Sequence, residues 1–166
     1  PTAGHAQERS AGTTMDIGTD FTGAHTQATK NADEVTKALL HFIGPDPHHK
    51  CKEFYSDRAP DLIKAAARHG ISHDKSMPYR HKQNSLVERR NQQVQEGMRT
   101  VLANSGAPLC LWTYAAKHWC HIHNVTTKGG QDKSPWERRF GSPWTGTLHI
   151  PVWSAGDIST TSKHAN

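Results

Sequence analysis

Strand-like and helix-like segments alternate along most of this chain, and their order constrains the fold more than any other feature. Two short strands are expected first, over 13–18 and 21–29. Helical and strand patterns then follow in turn, and two helices end the series. The order β-β-α-β-α-β-α-α predicts an α/β protein in which helices cover a mixed sheet.

Capping signals mark the helices of this series. Asn31 is a predicted N-cap with Glu34 reaching back, Pro60 suits a first helical turn, and Ser85 opens a second capping-box pattern. In the longest helix, Val87, Val94, Met98 and Val101 predict one buried stripe. The helices are expected over 31–43, 60–69, 85–104 and 108–124, and the remaining strands over 51–56 and 71–75.

Composition limits the classes of partner. Twenty Lys and Arg against 15 Asp and Glu give a net charge of +5, which favours a polyanion such as nucleic acid. The hydrophobic fraction of 34% predicts a thin core. Three cysteines without a CxxC pair indicate reduced thiols in an intracellular protein. No apolar run approaches the length of a membrane span, so we expect no membrane partner.

Two carboxylates are placed for metal chemistry. Asp57 closes the strand 51–56, and Glu88 is expected in the first turn of the longest helix. Two-metal phosphoryl-transfer enzymes hold their cations between carboxylates that converge from rigid elements. The 30 residues between the two acids (58 to 87) are enough chain for them to meet. By spacing alone, a turn residue and a helix-capping residue are the alternatives.

A series of short motifs accompanies these acids. In chain order they are Ser56-Asp57 followed by Asp61, Gly70-Ile-Ser-His73, Pro78-Tyr79, Asn84, Glu88-Arg-Arg-Asn91, Gly97-Met-Arg99, Ser105-Gly106, Ser134-Pro-Trp-Glu137 and Phe140-Gly141. The motifs up to Asn91 resemble the SDNxxE/D, GIxH and PYxPQxNGxxERxN motifs of retroviral-type integrase catalytic cores. Gly97-Met-Arg99 and Ser105-Gly106 resemble the helical segment that follows these motifs in copia-type retrotransposon integrases. The last two motifs of the series resemble the TPxExxFG motif of the copia-type retrotransposon group. The resemblance spans roughly residues 13–152.

The resemblance implies a ribonuclease-H-like fold in which an Asp, Asp, Glu triad binds two Mg²⁺ or Mn²⁺ ions. Asp57 matches the second acid and Glu88 the third, so both are expected to be catalytic metal ligands. The implied reaction is DNA integration by strand transfer, in which a 3′-hydroxyl attacks a target phosphodiester. DNA is the implied partner and the nucleus the implied location, and a homo-oligomer is left open.

Basic residues surround the third acid. Residues 80–99 carry five cationic side chains against Glu88 and Glu96, a local charge of +3 that suits phosphate contact. Asn84 matches an asparagine of the family's active-site loop. A solvated helix face is the alternative for each cation. The predicted nucleic-acid-binding residues are Arg80, Lys82, Asn84, Arg89 and Arg90, with Arg99 as a further cation of the same stretch.

The chain departs from the family pattern near its start. The first acid belongs on the first, central strand, and motif order puts that place at or before residue 1. We therefore expect a fold that lacks this strand, in a fragment that is catalytically impaired. Asp16 is an alternative first acid, although it matches a later family position. His81-Lys82 also replaces the family's Pro-Gln, and Ser85, a predicted N-cap, replaces Gly.

Three segments are expected: a disordered N-terminus over 1–11, the catalytic core over 12–124, and a C-terminal extension and tail over 125–166.

Two competing functions are considered. A catalytically inactive DNA-binding remnant shares the basic residues but not the chemistry. A zinc module is suggested by two histidine- and cysteine-rich clusters, although neither has zinc-finger spacing. The clusters are His48, His49 and Cys51, and His118, Cys120, His121 and His123.

Overall fold

Two two-stranded sheets and a set of helices form the architecture. The computed structural model describes residues 3–4, 7–29, 31–44, 50–56, 59–75 and 81–146. Its elements are β1 (Ser10–Met15), β2 (Thr22–Gln27), α1 (Ala32–Ile43), β3 (Phe54–Ser56), α2 (Pro60–Arg68), β4 (His73–Lys75), α3 (His81–Ser105), α4 (Trp112–Val125) and α5 (Pro135–Phe140), with a 3-10 turn at Leu109–Leu111. The α/β class and the order of the first eight elements follow the prediction.

The described strands form two sheets instead of one. Strands β1 and β2 pair antiparallel, with Ser10 opposite Gln27 and Met15 opposite Thr22. Strands β3 and β4 pair parallel, starting from Phe54 opposite His73. Both orientations expected of a mixed sheet are therefore present, but the antiparallel and parallel pairs are not hydrogen-bonded to each other.

The first sheet begins earlier than the sequence predicted. Ser10 and Ala11, expected in a disordered segment, already pair with β2. The Arg9 N–H also donates to the Gln27 carbonyl at 3.0 Å. The chain reverses through a turn that ends at Asp20, whose φ of 64° is the left-handed region that Asp tolerates better than most residues.

The caps of α1 and α2 largely match their sequence signals. Asn31 Oδ1 accepts the Glu34 N–H at 2.8 Å, whereas the Glu34 carboxylate pairs with Lys37 instead of reaching back. Helix α2 begins at Pro60, as predicted. The two helices pack through a small core made of Leu39, Ala66 and Ile71, with Phe54 of β3 against it.

Helix α3 differs from its prediction at the N-terminal end. It begins at His81, so Ser85 lies inside the helix, and the prediction that Ser85 is the N-cap is wrong. The predicted buried stripe starts later than expected. Val94 is 6% exposed, whereas Val87 is 44% exposed because no described element covers the first turns.

Helices α3 and α4 pack closely because α3 has a glycine at the contact. A Cβ atom on Gly97 would lie 1.9 Å from Nε1 of Trp119, so only glycine lets the indole lie against the helix backbone. Ala116 and Cys120 of α4 are buried against Val94 beside this contact. Helix α4 therefore packs against α3 through the face that carries Ala116, Trp119 and Cys120.

The segment after α4 contains a helix that the sequence analysis did not predict. Ser134 Oγ accepts the Glu137 N–H at 3.2 Å, and Gly141 ends α5 with a φ of 79°. Trp136 and Phe140 pack against Phe21 beside the hairpin turn. In the described part of the chain, no helix has both the length and the apolar composition to cross a bilayer.

Candidate functional site

Glu88, the predicted third acid, presents its carboxylate to solvent from α3. Because α3 begins at His81, Glu88 lies beyond the first turn in which it was expected. Its side chain is exposed, as is that of Arg89. The Glu88 carboxylate forms no hydrogen bond or ion pair with the described residues. An exposed carboxylate without a protein partner is available to an external cation.

Asp57, the predicted second acid, lies outside the described residues. The structure describes its strand as far as Ser56, whose Oγ lies 2.7 Å from Nε2 of His73 on the neighbouring strand. Convergence of Asp57 and Glu88 therefore stays a prediction. Arg80 also lies outside the described residues. Lys82 and Asn84 lie in the first turn of α3, where the structure describes the backbone.

Arg90 lies in a different environment from the one predicted. Its side chain is only 10% exposed and forms an ion pair with Asp20 of the hairpin turn. Arg90 Nε also lies 3.3 Å from Met15 Sδ, and Nη1 lies 3.0 Å from His123 Nε2. A guanidinium that is enclosed in this way has little surface left for phosphate, so we withdraw Arg90 from the nucleic-acid-binding set.

Asp20 is the centre of a charged cluster that sequence reasoning missed. Besides Arg90, the Lys128 ammonium pairs with it, and His123 Nε2 lies 3.4 Å from its carboxylate. Partial burial favours the neutral acid, but Lys128 and Arg90 outweigh that effect, so the pKa of Asp20 is lowered. Asp20 therefore stays ionised, and the cluster connects the hairpin turn with α3 and α4.

His123 is the neutral member of this cluster. Burial, followed by the charges of Lys128 and Arg90, lowers the pKa of His123 from 6.5, although Asp20 acts in the opposite direction. His123 Nε2 lies 3.0 Å from Arg90 Nη1 and 3.3 Å from the Asp20 carbonyl oxygen, so the imidazole is in contact with both members of the ion pair. The sequence contained no local signal for this cluster, since Asp20 and Arg90 are separated by 70 positions.

Both carboxylate oxygens of Asp16, the alternative first acid, accept hydrogen bonds within the hairpin turn. Its Oδ1 accepts the Gly18 N–H at 3.0 Å, and its Oδ2 accepts the Thr19 hydroxyl at 2.8 Å. Arg139 of α5 lies 3.5 Å from the same carboxylate. These contacts give Asp16 a structural role in shaping the turn and attaching α5 to it.

Comparison with solved structures identifies the architecture. A chain of the simian T-cell lymphotropic virus intasome, in complex with PP2A regulatory subunit B56 gamma, superposes with a TM-score of 0.59 at 19% identity, covering 80% of this chain and 48% of that one. The HTLV-2 integrase catalytic core domain, in complex with magnesium in a trimeric form, gives a TM-score of 0.60 at 15% identity, covering 76% and 82%. The chain has the ribonuclease-H-like fold of integrase catalytic cores. It spans about half of the intasome chain, 48%. No family model and no curated protein matches it.

The side chains predicted to bind a metal differ in how well their chemistry suits a divalent cation. Glu88 supplies an oxygen ligand of the kind that hard divalent cations take. Among the described residues, no three His, Cys, Asp or Glu side chains are grouped to hold a metal. Cys120, from one of the clusters that suggested zinc, is buried, and burial raises the pKa of its thiol to about 12. That thiol is therefore part of the α3–α4 packing.

Proposed function

We propose that this chain is part of a retrotransposon integrase of the copia-type group, which joins DNA ends to target DNA by metal-dependent phosphodiester transesterification. The observation that carries the proposal is the exposure of the Glu88 carboxylate to solvent. In an integrase-core-like fold, the acid of the Glu88-Arg-Arg-Asn91 motif presents an exposed carboxylate that lacks a partner among the described residues.

Asp57 and Glu88 are the proposed metal ligands. Carboxylate oxygens suit Mg²⁺ and Mn²⁺, and the HTLV-2 core domain is a complex with magnesium. A pair of divalent cations, when bound, supplies activation of the attacking hydroxyl oxygen and stabilisation of the leaving oxygen. In this proposal the protein holds Glu88 on α3 and Asp57 in the segment that directly follows β3, so that the reacting groups are aligned.

The first acid of the triad is proposed to lie on a strand that the described sheets do not include. We propose that the β1–β2 and β3–β4 pairs are two parts of one mixed sheet, joined in the working enzyme by a first central strand that carries this acid. The separation of the two described sheets supports this arrangement. Strand transfer by the 166-residue chain alone would contradict the role given to that strand.

DNA is the proposed partner, and the basic surface of α3 is the proposed contact. Arg89 and Arg99 are exposed on this helix and have no ion-pair partner within the described part. Arg80, Lys82 and Asn84, which precede Glu88, complete the proposed contact. The intasome and the trimeric HTLV-2 core support a homo-oligomeric state for the working enzyme, and a nuclear location follows from the proposed reaction.

A strand-transfer assay on the intact parent enzyme tests this function. The variants are Asp57→Asn and Glu88→Gln, and the matched control is Glu96→Gln, an exposed acid two turns further along α3. We expect both site variants to fall to background in Mg²⁺ and Mn²⁺, and the control to retain activity. Salt-sensitive DNA binding by a parent that never joins DNA would favour the inactive DNA-binding remnant instead.

A further inference from the structure

Arg90 is the first buried side chain of α3 after Glu88. The described side chains of residues 85–89 are all exposed, and Arg90 is the point at which the helix enters the protein interior. The next buried residue is Val94, one helical turn later. The segment that carries Glu88 is therefore attached to the rest of the protein through Arg90 on its C-terminal side.

Helix geometry couples the directions of the two side chains. Successive residues of an α-helix are about 100° apart, so Glu88 lies about 200° from Arg90, and Val94 only about 40° from it. When Arg90 and Val94 face the interior, Glu88 must face solvent. Any rotation of this part of α3 about its axis changes the direction of the Glu88 carboxylate.

The contacts of Arg90 resist such a rotation. Its planar guanidinium reaches three elements at once, through Met15 at the end of β1, Asp20 in the hairpin turn and His123 in α4. The charged guanidinium forms directional hydrogen bonds, which an apolar side chain at the same position cannot form. Turning Arg90 away would also remove one of the two cations that pair with the partly buried Asp20.

We propose that Arg90 is a positioning residue, whose ion pair with Asp20 sets the direction in which Glu88 projects from α3. The functional part of this inference rests on the proposed role of Glu88 as a metal ligand. The geometric part requires neither metal nor DNA. The two parts can therefore be tested separately.

A distance measurement between spin labels tests the geometric part on the full chain. Cys51 and Cys110 are replaced by Ser and Cys120 by Ala, and labels are placed on Glu88→Cys and on Lys117→Cys, an exposed position of α4. A second pair, Glu96→Cys with Lys117→Cys, reports on α3 beyond Arg90. We expect Arg90→Met to shift or broaden the 88–117 distances and to leave the 96–117 distances unchanged.

The control variant is Lys128→Met, which removes the other cation on Asp20 without altering α3. It should leave both distance distributions at their parental values. Unchanged 88–117 distances in Arg90→Met would overturn the proposal, and so would equal broadening of both pairs, which indicates general loosening. If Arg90→Met does not fold, Asp20→Asn takes its place, with a shift again expected in the 88–117 pair alone.

The functional part is tested with the intact parent. Arg90→Met should raise the Mn²⁺ concentration needed for half-maximal strand transfer by about 10- to 100-fold, the range seen when groups that orient metal ligands are removed. Lys128→Met should leave that requirement unchanged. An unchanged Mn²⁺ requirement in Arg90→Met would refute the functional part. A parent that transfers no strands would instead refute the proposed function, and the spin-label distances would still decide the geometric part.

Discussion

Asn124 binds both backbone hydrogen-bonding groups of Thr22. Its side-chain Oδ1 accepts the Thr22 N–H at 2.9 Å, and its Nδ2 donates to the Thr22 carbonyl at 2.8 Å. Both residues are buried, at 5% and 1% exposure. The side-chain amide thus takes the place of a neighbouring strand at the start of β2, and it fixes the end of α4 to the first sheet.

Asn124→Asp should therefore destabilise the protein although it conserves shape. A carboxylate still accepts the Thr22 N–H, but it has no proton to donate to the buried Thr22 carbonyl. We expect a loss of about 2–3 kcal/mol in the free energy of unfolding, measured by urea denaturation. Asn91→Asp, a half-buried position on α3, is the control and should lose less than half of that amount. Equal losses in the two variants would contradict the role given to Asn124.

Gly97→Ala should also destabilise the fold, against the direction of helix propensity. Alanine favours a helix interior over glycine by about 1 kcal/mol. The added Cβ, however, would fall 1.9 Å from the Trp119 ring, and relieving such a clash costs about 1–3 kcal/mol. We expect a net loss in urea denaturation and a changed Trp fluorescence.

Two controls separate the clash from other effects of Gly97→Ala. Gly129→Ala places its Cβ in open space and should be nearly neutral. Adding Trp119→Leu to Gly97→Ala should recover part of the lost stability relative to Trp119→Leu alone. A Gly97→Ala protein more stable than the parent would show that the two helices are not in close contact at this position.

His25 makes stability depend on pH. Burial, followed by the charges of His41 and Lys117, lowers the pKa of His25 from 6.5 to about 4. The unfolded chain therefore binds this proton more tightly than the folded protein. The associated stability is complete above pH 6.5 and is lost as the pH falls towards about 4.

The contribution of His25 follows from the size of that shift. At about 1.4 kcal/mol per pKa unit, it amounts to about 3 kcal/mol. Between pH 6.5 and 4, His25→Gln should lose about 3 kcal/mol less stability than the parent, as measured by urea denaturation at several pH values. Parallel pH dependences for the two proteins would contradict this assignment.

Arg89 and Arg90 should differ in their effects on DNA binding, although they are neighbours in the sequence. Arg89 is exposed, whereas Arg90 is paired with Asp20. Arg89→Gln should reduce the slope of log affinity against log salt by about 1, since one phosphate contact is lost. Arg90→Gln should leave that slope unchanged. The opposite result would place Arg90 on the DNA-binding surface after all.

Local signals predicted a large part of this fold. The start of α2 at Pro60 and the N-cap of α1 at Asn31 depend on residues within one helical turn, which a single sequence displays. The same kind of signal failed at Ser85, because α3 continues in the N-terminal direction to His81. The cap at Ser134 was available in the sequence, but the absence of hydrophobic periodicity around it obscured α5.

The candidate site shows where sequence reasoning ends. The motif Glu88-Arg-Arg-Asn91 predicted that Glu88 and Arg89 are available to a ligand, and both side chains are exposed. Arg90 was assigned to the same surface, because a charged residue in a basic stretch is usually solvated. Its burial depends on Asp20, 70 positions away, and pairings at that distance are not visible in one sequence.

The most direct test of the account is whether residues 57 and 88 can hold one metal ion. In the 166-residue chain, with Cys51, Cys110 and Cys120 replaced, Asp57→Cys and Glu88→Cys are introduced singly and together, and binding of Cd²⁺ is followed by thiolate charge-transfer absorption. We predict that the double variant binds one Cd²⁺ far more tightly than either single variant, because two thiolates then share the ion. Equal, weak binding by all three variants would contradict the proposed metal site.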